Sequence, residues 1–381
     1  MTIGVVILAA GQGTRMRSTL PKVLHPLAGR PLIGWVLEAL AAAGPDQTGV
    51  VLGHGAEEVS PHLPTGARVA MQHVRRGTGD AARVGLDALD PSCDTVVIAC
   101  GDTPLLSGDV VRSLVDAHAA GAAAATMLTA ELPDAGAYGR VVRDDSGAVR
   151  RIVEARDATP DELAIREFNA GLYVCRVDAL RAALDGLDDD NAQGELYLTD
   201  AVADIEGGLG AVVAADADVA AGVNDRVDLA ACEAVIQDRL RRDLMLSGVT
   251  MPAPSAVYLD ADVVVEPDVV LWPGTHLRAG TRVLAGAEIG PDVVATGSVL
   301  GAGARVRSAH LVDATVGDGC DVGPFAYLRP GTRLERGSKA GTYVELKNTV
   351  LGPGAKVPHL SYVGDAHVGA NANIGAGTIT C

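Results

Sequence analysis

Short apolar runs alternate with helical stretches along residues 1–226. One helical stretch begins at Pro31, a residue suited to a first helical turn, and ends near Gly44, and another covers Gly77–Leu89. Strands that alternate with helices predict a mostly parallel sheet with helices on both faces. Such sheets bind ligands at the carboxyl ends of their strands. The predicted strands are Ile3–Leu8, Val50–Leu52, Val69–Met71, Thr95–Ala99 and Ala123–Thr129.

The period then changes to that of a single helix over residues 227–248. Apolar residues recur every three or four positions, and Gly248 ends the pattern. This stripe predicts a linker helix with one buried face. Its apolar positions are Leu229, Cys232, Ile236, Leu240 and Leu244.

Over residues 249–381 apolar residues recur every six positions, and Gly or Asp follows three positions later, as at Asp262, Gly274 and Gly280. Neither a helix nor an ordinary strand has this period. It predicts a left-handed parallel β-helix of hexapeptide repeats. The repeats stop at Cys381 in mid-pattern, so we expect this domain to be incomplete at its C-terminus. The apolar positions are Leu259, Val265, Leu271, Leu277, Val283, Ile289, Val316, Val322, Leu328, Leu334, Val368 and Ile374.

These patterns together predict an α/β protein with three segments. Residues 1–226 form a Rossmann-like, mostly parallel sheet, residues 227–248 form the linker helix, and residues 249–381 form the β-helix. The first two segments precede the repeats, so a globular domain is expected to come before the solenoid.

Charge and cysteine usage narrow the classes of partner. The formal net charge is −17 and only 3% of residues are aromatic, which argues against binding of nucleic acid. No run approaches the roughly 20 apolar residues of a membrane-spanning helix. The six cysteines are scattered without a C-x-x-C pair, so we expect neither zinc nor disulfides. The expected location is the cytoplasm.

A glycine-punctuated turn follows the first predicted strand, in "LAAGQGTRMRSTLPKVL". Gly11 and Gly13 fit the start of a dinucleotide fingerprint, but Met16 occupies the place of its third glycine, and a Walker loop is absent. The backbone N–H groups of such a turn can approach phosphate closely. Arg15 and Lys22 add cations. A tight turn with solvated charges is the alternative interpretation.

Further motifs follow in the order typical of one enzyme family. With the glycine turn they resemble the signature of sugar-1-phosphate nucleotidyltransferases. With the β-helix, the whole chain is similar to the bifunctional N-acetylglucosamine-1-phosphate uridylyltransferases/glucosamine-1-phosphate N-acetyltransferases, which make UDP-N-acetylglucosamine for cell-wall peptidoglycan. The motifs are "GTGDA" at Gly77–Ala81, "CGDTPL" at Cys100–Leu105, "YGR" at Tyr138–Arg140, "IVE" at Ile152–Glu154, "NAG" at Asn169–Gly171 and "GVND" at Gly222–Asp225.

The resemblance implies Mg²⁺-dependent transfer of UMP from UTP to N-acetylglucosamine-1-phosphate, with release of pyrophosphate. Arg15 and Lys22 would be catalytic, because they would grip the triphosphate and stabilise the leaving pyrophosphate. Asp102 and Asn224 would hold the Mg²⁺ ion through oxygen atoms. On their own, Asp102 could cap the segment that follows it, and Asn224 could cap the helix beginning near Asp225.

The resemblance also implies a set of substrate contacts. Gln72 offers a donor and an acceptor that suit the uracil edge, and Glu154 can accept hydrogen bonds from sugar hydroxyls. Two positions depart from the usual family pattern: Asp80 stands where the family has histidine, and Asp225 where a second asparagine is common. The implied substrate-binding residues are Leu8, Ala9, Ala10, Gly11, Gly13, Lys22, Gln72, Gly77, Thr78, Gly101, Asp102, Thr103, Gly139, Glu154, Asn169 and Asn224.

A second site is implied on the β-helix, with acetyl-CoA as co-substrate and a homotrimer as the assembly. Arg329 and Lys347 would bind the phosphate of glucosamine-1-phosphate, and His359 would take a proton from the attacking amine. Tyr362 and Asn373 would line the sugar pocket. A surface histidine at a solenoid corner is the alternative for His359. Because the family's site continues past the end of this sequence, we expect uridylyl transfer to be retained and acetyl transfer to be lost.

Two other functions remain open at this point. The chain could be another sugar-1-phosphate nucleotidyltransferase with a regulatory β-helix, which would differ in its choice of base and sugar. It could also be an inactive trimeric scaffold with a relic domain. The presence of both cations and both metal-binding candidates argues against the scaffold.

Overall fold

The computed structural model of this protein describes residues 2–381. The chain divides into two compact units. The first contains the described residues up to Leu27 together with Pro31–Cys232, and the second contains Ala28–Arg30 and Glu233–Cys381. The α-helices are α1 Leu32–Ala41, α2 Ala56–Val59, α3 Thr78–Ala88, α4 Gly108–Ala120, α5 Pro160–Leu163, α6 Val177–Asp185, α7 Leu198–Ala203 and α8 Arg226–Leu246.

The first unit is built on a nine-stranded sheet with the main order β11-β7-β10-β6-β1-β4-β5, in which β8 pairs with β10 and β9. Strands β6, β1, β4 and β5 run parallel, and so do β11 and β7. The strands up to this point in the chain are β1 Ile3–Ala9, β2 Pro26–Leu27, β3 Arg30–Pro31, β4 Gln47–Leu52, β5 Arg68–Met71, β6 Thr95–Cys100, β7 Ala125–Glu131, β8 Arg140–Arg143, β9 Val149–Val153, β10 Glu167–Arg176 and β11 Leu209–Val213.

Helices cover both faces of this sheet, as the alternation predicts. Along β1, Val5 and Ile7 pack into one core and Val6 packs into the other. All three are at most 1% exposed, because a strand buried on both faces has no solvent side. The predicted Rossmann-like α/β fold is therefore confirmed.

Strand β10 was not predicted, and it runs antiparallel between β6 and β7. Its register shifts between Asn169 and Tyr173. The bulge coincides with the "NAG" motif and places Gly171 at a φ of 71°, a left-handed conformation that favours glycine. The irregularity turns this part of the strand toward the site described below.

The second unit is a parallel β-helix, which confirms the predicted solenoid. Three sets of short parallel strands stack coil on coil, and the inward residues of the coils form one continuous apolar core. The strands are β12 Val257–Leu259, β13 Val264–Val265, β14 Val270–Leu271, β15 Thr275–Arg278, β16 Arg282–Val283, β17 Glu288–Ile289, β18 Val293–Thr296, β19 Val299–Leu300, β20 Arg305–Val306, β21 Ala309–Val312, β22 Thr315–Val316, β23 Asp321–Val322, β24 Ala326–Leu328, β25 Arg333–Leu334, β26 Lys339–Lys347, β27 Val350–Leu351, β28 Lys356–Gly364, β29 His367–Val368 and β30 Ile379–Thr380.

The coils are not uniform in length. Val257 pairs with Thr275, so this coil has the full length of three hexapeptides. Val293 pairs with Ala309, so that coil is two residues shorter. This shortening explains why the six-residue pattern lapses after Ile289 and resumes at Val316. The solenoid keeps its inward side chains stacked by dropping corner residues.

The second unit also contains the C-terminal part of α8. Gln237 and Arg241 on this part of the helix are buried and bind the backbone of the first coil. The Gln237 amide exchanges two hydrogen bonds with Leu259, at 2.7 and 3.0 Å, and Arg241 donates to the carbonyl of Val257 at 3.0 Å. These bonds satisfy backbone groups that the first coil would otherwise leave unpaired.

Within residues 2–381, none of the helices combines the length and the apolar character that a membrane crossing requires.

Candidate active site

The glycine turn after β1 folds back over the stem of Lys22. Gly13 has a φ of 62°, and a Cβ atom there would lie 2.6 Å from the Cβ of Lys22. Gly11, by contrast, faces open space. The turn therefore needs a glycine at position 13 for close packing, and it leaves the backbone at position 11 accessible to a ligand.

Lys22 forms an ion pair with Asp102, which follows β6. The two side chains are 13% and 22% exposed. The pairing of Leu8 with Cys100 in the sheet, and a hydrogen bond of 2.9 Å from the Gly101 N–H to the carbonyl of Leu8, fix the start of this loop. The carboxyl ends of two adjacent parallel strands thus bring the turn and Asp102 together, as expected for such sheets.

Asn224 reaches the same place from a distant part of the sequence. The Val223 N–H donates to the carbonyl of Asp102 at 2.9 Å, and Arg15 donates to the side-chain oxygen of Asn224 at 2.9 Å. The side chain of Asp225, not that of Asn224, caps α8, because it accepts from two N–H groups of the first turn. The helix-capping alternative for Asn224 is therefore not needed.

The four residues that sequence analysis assigned to catalysis and metal binding are therefore neighbours. Carboxylate and amide oxygens are ligands that suit Mg²⁺, and an ion with few protein ligands keeps positions free for phosphate oxygens and water. Across residues 2–381 there is no cluster of three or more His, Cys, Asp or Glu side chains with metal-binding geometry. The donor set of Asp102 and Asn224 fits a phosphate-bound Mg²⁺ better than a metal held by protein ligands alone.

A cavity of about 300 Å³ opens beside the glycine turn. Gln72, buried at its wall, donates to the carboxylate of Asp80 at 2.8 Å and to the carbonyl of Gly77 at 3.1 Å. Arg75 and Glu195 were missed from the sequence, because no motif marks them. The predicted residues in its lining are Leu8, Ala9, Ala10, Gly11, Lys22, Gln72, Gly77, Thr78 and Asp102.

A second cavity, of about 520 Å³, lies on the other side of Asp102. Cys100 and Asp102 line both cavities, so the two spaces meet at these residues. Tyr138 and Gly171 were not assigned as contacts, although both stand in the quoted motifs. The predicted residues in this lining are Arg15, Asp102, Thr103, Gly139, Glu154, Asn169 and Asn224.

Two predicted contact residues, Gly13 and Gly101, are not among the residues lining either cavity. Gly13 supports Lys22 from behind. At Gly101 an added Cβ would lie 3.1 Å from the Cβ of Ala9. The structure thus gives both glycines a packing role beneath the site.

Glu154, which lines the second cavity, and its neighbour Asp200 both have raised pKa values. Burial raises the pKa of Glu154, and the hydroxyl of Thr199, which donates at 3.1 Å, partly offsets this. Burial and neighbouring carboxylates, first that of Asp204, raise the pKa of Asp200 to about 6. Burial also raises the pKa of the Cys100 thiol to about 12, so this side chain stays neutral where the cavities meet.

Two of the five predicted acetyltransfer residues stack on the β-helix. Arg329 directly follows β24 and Lys347 is the last residue of β26, the strand paired with β24. Each binds a carboxylate, Glu345 at 3.1 Å and Asp365 at 3.0 Å respectively.

The other three lie at different places on the same unit. The Tyr362 ring lies against Gly364, the residue paired with Lys347, and His359 is exposed at the preceding corner. Asn373 forms a β-bridge with Lys356, the first residue of β28, the strand that also contains His359 and Tyr362. The strand pairing therefore groups Arg329, Lys347 and Tyr362.

Comparison with known proteins places the chain among enzymes of this type. The profile described as a MobA-like NTP transferase domain matches residues 5–202. The bifunctional protein GlmU of Streptomyces avermitilis is 48% identical over 383 residues, which cover 98% of this chain and 80% of that protein. The chain belongs to the GlmU family. GlmU proteins of Heliobacterium modesticaldum and Pelotomaculum thermopropionicum are each 47% identical and cover 99% and 100% of this chain.

Membership of the GlmU family confirms the recognition made from the motifs. The predicted enzyme class, UDP-N-acetylglucosamine pyrophosphorylase with glucosamine-1-phosphate N-acetyltransferase, is confirmed at the level of this family. The matched domain supports sugar-1-phosphate nucleotidyl transfer as the activity of the first unit. A solved UDP-glucose pyrophosphorylase complexed with UDP-glucose is 17% identical, with a TM-score of 0.47 over 53% of this chain and 85% of that one, a likeness too weak to bear on the ligand.

Proposed function

We propose that the first unit transfers UMP from UTP to N-acetylglucosamine-1-phosphate in the presence of Mg²⁺, giving UDP-N-acetylglucosamine and pyrophosphate. The observation that carries this proposal is the meeting of two cavities at Asp102, one beside the glycine turn and one beside Glu154. A nucleotide in the first and a sugar phosphate in the second would bring their phosphates together at this residue.

The chemistry needs charge neutralisation more than proton transfer. The attacking phosphate oxygen is already ionised, so no general base is required, and the obstacle is the repulsion between two anions. Lys22 supplies positive charge in the nucleotide cavity and Arg15 supplies it in the second cavity. Their present oxygen partners, Asp102 and Asn224, hold them in place. A triphosphate would offer both cations stronger partners than a single carboxylate or amide oxygen.

Asp102 and Asn224 would hold the Mg²⁺ ion. When bound, the ion would neutralise charge on the phosphate oxygens as the bond to pyrophosphate breaks. The hydrogen bond between Val223 and Asp102 keeps the two ligands at a fixed spacing. Positioning of this kind supplies a large share of the rate in phosphoryl transfer.

The second cavity supports recognition of an acetamido sugar. Glu154 and Asn169 lie in its lining, and the Asn169 side chain is oriented by Tyr173, to which it donates at 2.6 Å, and by the Gly171 N–H at 3.0 Å. We assign hydroxyl recognition to Glu154 and recognition of the acetamido group to Asn169 and Gly139.

For the second unit we propose the family's acetyl transfer roles residue by residue. Arg329 and Lys347 would bind the sugar phosphate, His359 would accept the amine proton, and Tyr362 and Asn373 would line the sugar pocket, with acetyl-CoA as donor. Release of CoA from acetyl-CoA and glucosamine-1-phosphate tests these roles, and it would contradict the loss of acetyl transfer expected from the sequence. The homotrimer, the cytoplasmic location and the division at residues 226 and 248 also stay predictions.

Release of pyrophosphate tests the proposed function directly. UTP and dTTP are each combined with N-acetylglucosamine-1-phosphate or glucose-1-phosphate in the presence of Mg²⁺. We expect the highest kcat/KM for UTP with N-acetylglucosamine-1-phosphate. A preference for dTTP with glucose-1-phosphate would instead favour a related nucleotidyltransferase.

A further inference from the structure

The amide of Gln72 is oriented by two hydrogen-bond acceptors. Its nitrogen Nε2 donates to Oδ2 of Asp80 at 2.8 Å and to the carbonyl oxygen of Gly77 at 3.1 Å. The side chain is only 6% exposed and lies in the lining of the cavity beside the glycine turn. Both hydrogens of the amide group are thus committed to the protein.

These partners fix which way the amide points. The oxygen and nitrogen of a glutamine side chain are usually assigned from their hydrogen bonds, because their shapes are nearly the same. At neutral pH a carboxylate only accepts hydrogen bonds, and a backbone carbonyl always does. With the amide reversed, Oε1 of Gln72 would face two acceptors and two hydrogen bonds would be lost.

The orientation leaves Oε1 as the only polar atom of Gln72 that a ligand can use. Across residues 2–381 no hydrogen bond reaches this atom. An acceptor at this wall matches a base whose edge carries an N–H group. Uracil has such a group at N3, whereas N3 of cytosine is itself an acceptor and would leave two lone pairs facing each other.

We propose that Asp80 is a positioning residue that fixes Gln72 as an acceptor and thereby selects uracil over cytosine nucleotides. The proposal rests on the proposed uridylyl transfer and adds to it the residue that sets the choice of base. Asp80 stands in the first turn of α3, and Gln72 directly follows β5, so the pair spans two elements that line one cavity. The chosen base therefore depends on a side chain that is not itself in the lining.

The test compares UTP with CTP in the pyrophosphate assay for the unmodified protein, Asp80→Asn and Asp87→Asn. Asp87 lies on the same helix and pairs with Arg181 at an exposed position, which makes it the matched control. Asparagine at position 80 keeps the shape of aspartate but adds an N–H donor. Gln72 can then reverse its amide, accept from this donor with Oε1 and present Nε2 to N3 of cytosine. The unmodified enzyme should prefer UTP on the order of 10³-fold or more, as sites built around a substrate N–H do.

In Asp80→Asn we expect the ratio of kcat/KM for UTP to that for CTP to fall at least about tenfold, the size of one hydrogen bond. The fall should come from both a higher KM for UTP and better use of CTP, and Asp87→Asn should keep the original ratio. Equal losses for both nucleotides, or an unchanged ratio, would mean that the pair only holds the two elements together. No turnover by the unmodified protein would overturn the proposed function as well.

A second measurement needs no variant. The triphosphate of 3-deazauridine has a C–H group in place of N3–H and nearly the same shape as UTP. If Oε1 of Gln72 accepts from N3, the unmodified enzyme should use this analogue at least about tenfold less well than UTP. Equal use of the two would overturn the assignment even if Asp80→Asn failed to fold.

Discussion

At the scale of single residues, the backbone of the sugar cavity depends on a buried cation. Arg140 is 2% exposed and donates to the carbonyls of Gly136, at 3.0 Å, and of Tyr138, in the loop that precedes it. Removing a guanidinium group from water is unfavourable, and here several hydrogen bonds to backbone carbonyls offset this penalty. The arginine of the "YGR" motif therefore holds the shape of this loop, in which Tyr138 and Gly139 line the second cavity.

We expect Arg140→Met to lower the free energy of unfolding by about 2 kcal/mol, because it removes the donor from several carbonyls that are partly buried. It should also raise the KM for the sugar phosphate more than the KM for UTP, since only the second cavity contains this loop. Urea unfolding and steady-state kinetics measure the two effects. Arg112→Met, at an exposed position on α4, is the control, and equal changes in both variants would refute the role.

A second residue-scale prediction concerns Asp200, whose pKa is raised to about 6 by burial and by neighbouring carboxylates. The folded protein holds this proton more tightly than the unfolded chain, so stability falls as the pH rises from about 4 to about 6 and then levels off. Asp200→Asn should remove the penalty and stabilise the protein at pH 7.5 by about 1 kcal/mol after allowance for solvent screening. Urea unfolding at pH 4.5 should show about a third of this gain, because most of the proton linkage lies above that pH. An equal gain at both pH values would exclude the linkage.

At the scale of elements, two different constraints require glycine at particular positions of the β-helix. Gly337 has a φ of 69° and open space around it, so only the left-handed conformation favours glycine there. Gly341 has an ordinary φ, but a Cβ atom would lie 2.0 Å from the carbonyl oxygen of Pro358 in the next coil. The first constraint is visible as a corner in the sequence pattern, and the second exists only once coils are stacked.

The matched pair Gly337→Ala and Gly341→Ala separates these constraints. The first should cost about 1 kcal/mol for the strained conformation. The second should cost more than about 3 kcal/mol, because a backbone atom of a packed coil must move. Thermal unfolding of the β-helix should show the larger loss for Gly341→Ala, and the opposite order would mean that the coils yield easily.

The contrast between features visible in the sequence pattern and features that arise only on folding also decides how much of these elements could be predicted. Residues such as Leu259 and Val265 repeat at a fixed interval, and the solenoid follows from that interval alone. Strand β10 was missed because its bulge breaks the alternation. The shortened coil between Val293 and Ala309 was missed because it lacks two residues of a full coil, which interrupts the six-residue period. Patterns predict repeated structure well and irregular structure poorly, although the irregular strand contributes Asn169 and Gly171 to the second cavity.

At the scale of the whole molecule, local charge matters more than the net charge of −17. Lys22 and Arg15 follow the first strand, and they bind Asp102 and Asn224, which come from distant parts of the sequence. The motifs made it possible to assign these four residues, whereas Arg75 and Glu195 enter the lining only through the folded path of the chain. An anionic substrate responds to the local electrostatic potential at the site rather than to the net charge of the protein.

All residues that line the two cavities belong to the first unit, and each unit buries its own core. We therefore expect two transitions on heating, of which UTP with Mg²⁺ raises only one. At a ligand concentration of 100 times Kd the stabilisation should be about 2.7 kcal/mol. Scanning calorimetry with and without UTP measures this, and an equal shift of both transitions would show that ligand binding is coupled to the β-helix.

The most direct test of the account is the magnesium dependence of turnover in Asp102→Asn, compared with the exposed control Asp109→Asn on α4. If Asp102 carries the ion where the two substrates meet, kcat should fall at least about 100-fold, a typical loss when a group that stabilises charge in the transition state is removed. The Mg²⁺ concentration for half-maximal rate should rise, and the control should match the unmodified enzyme. Unchanged turnover and unchanged Mg²⁺ dependence in Asp102→Asn would contradict the account.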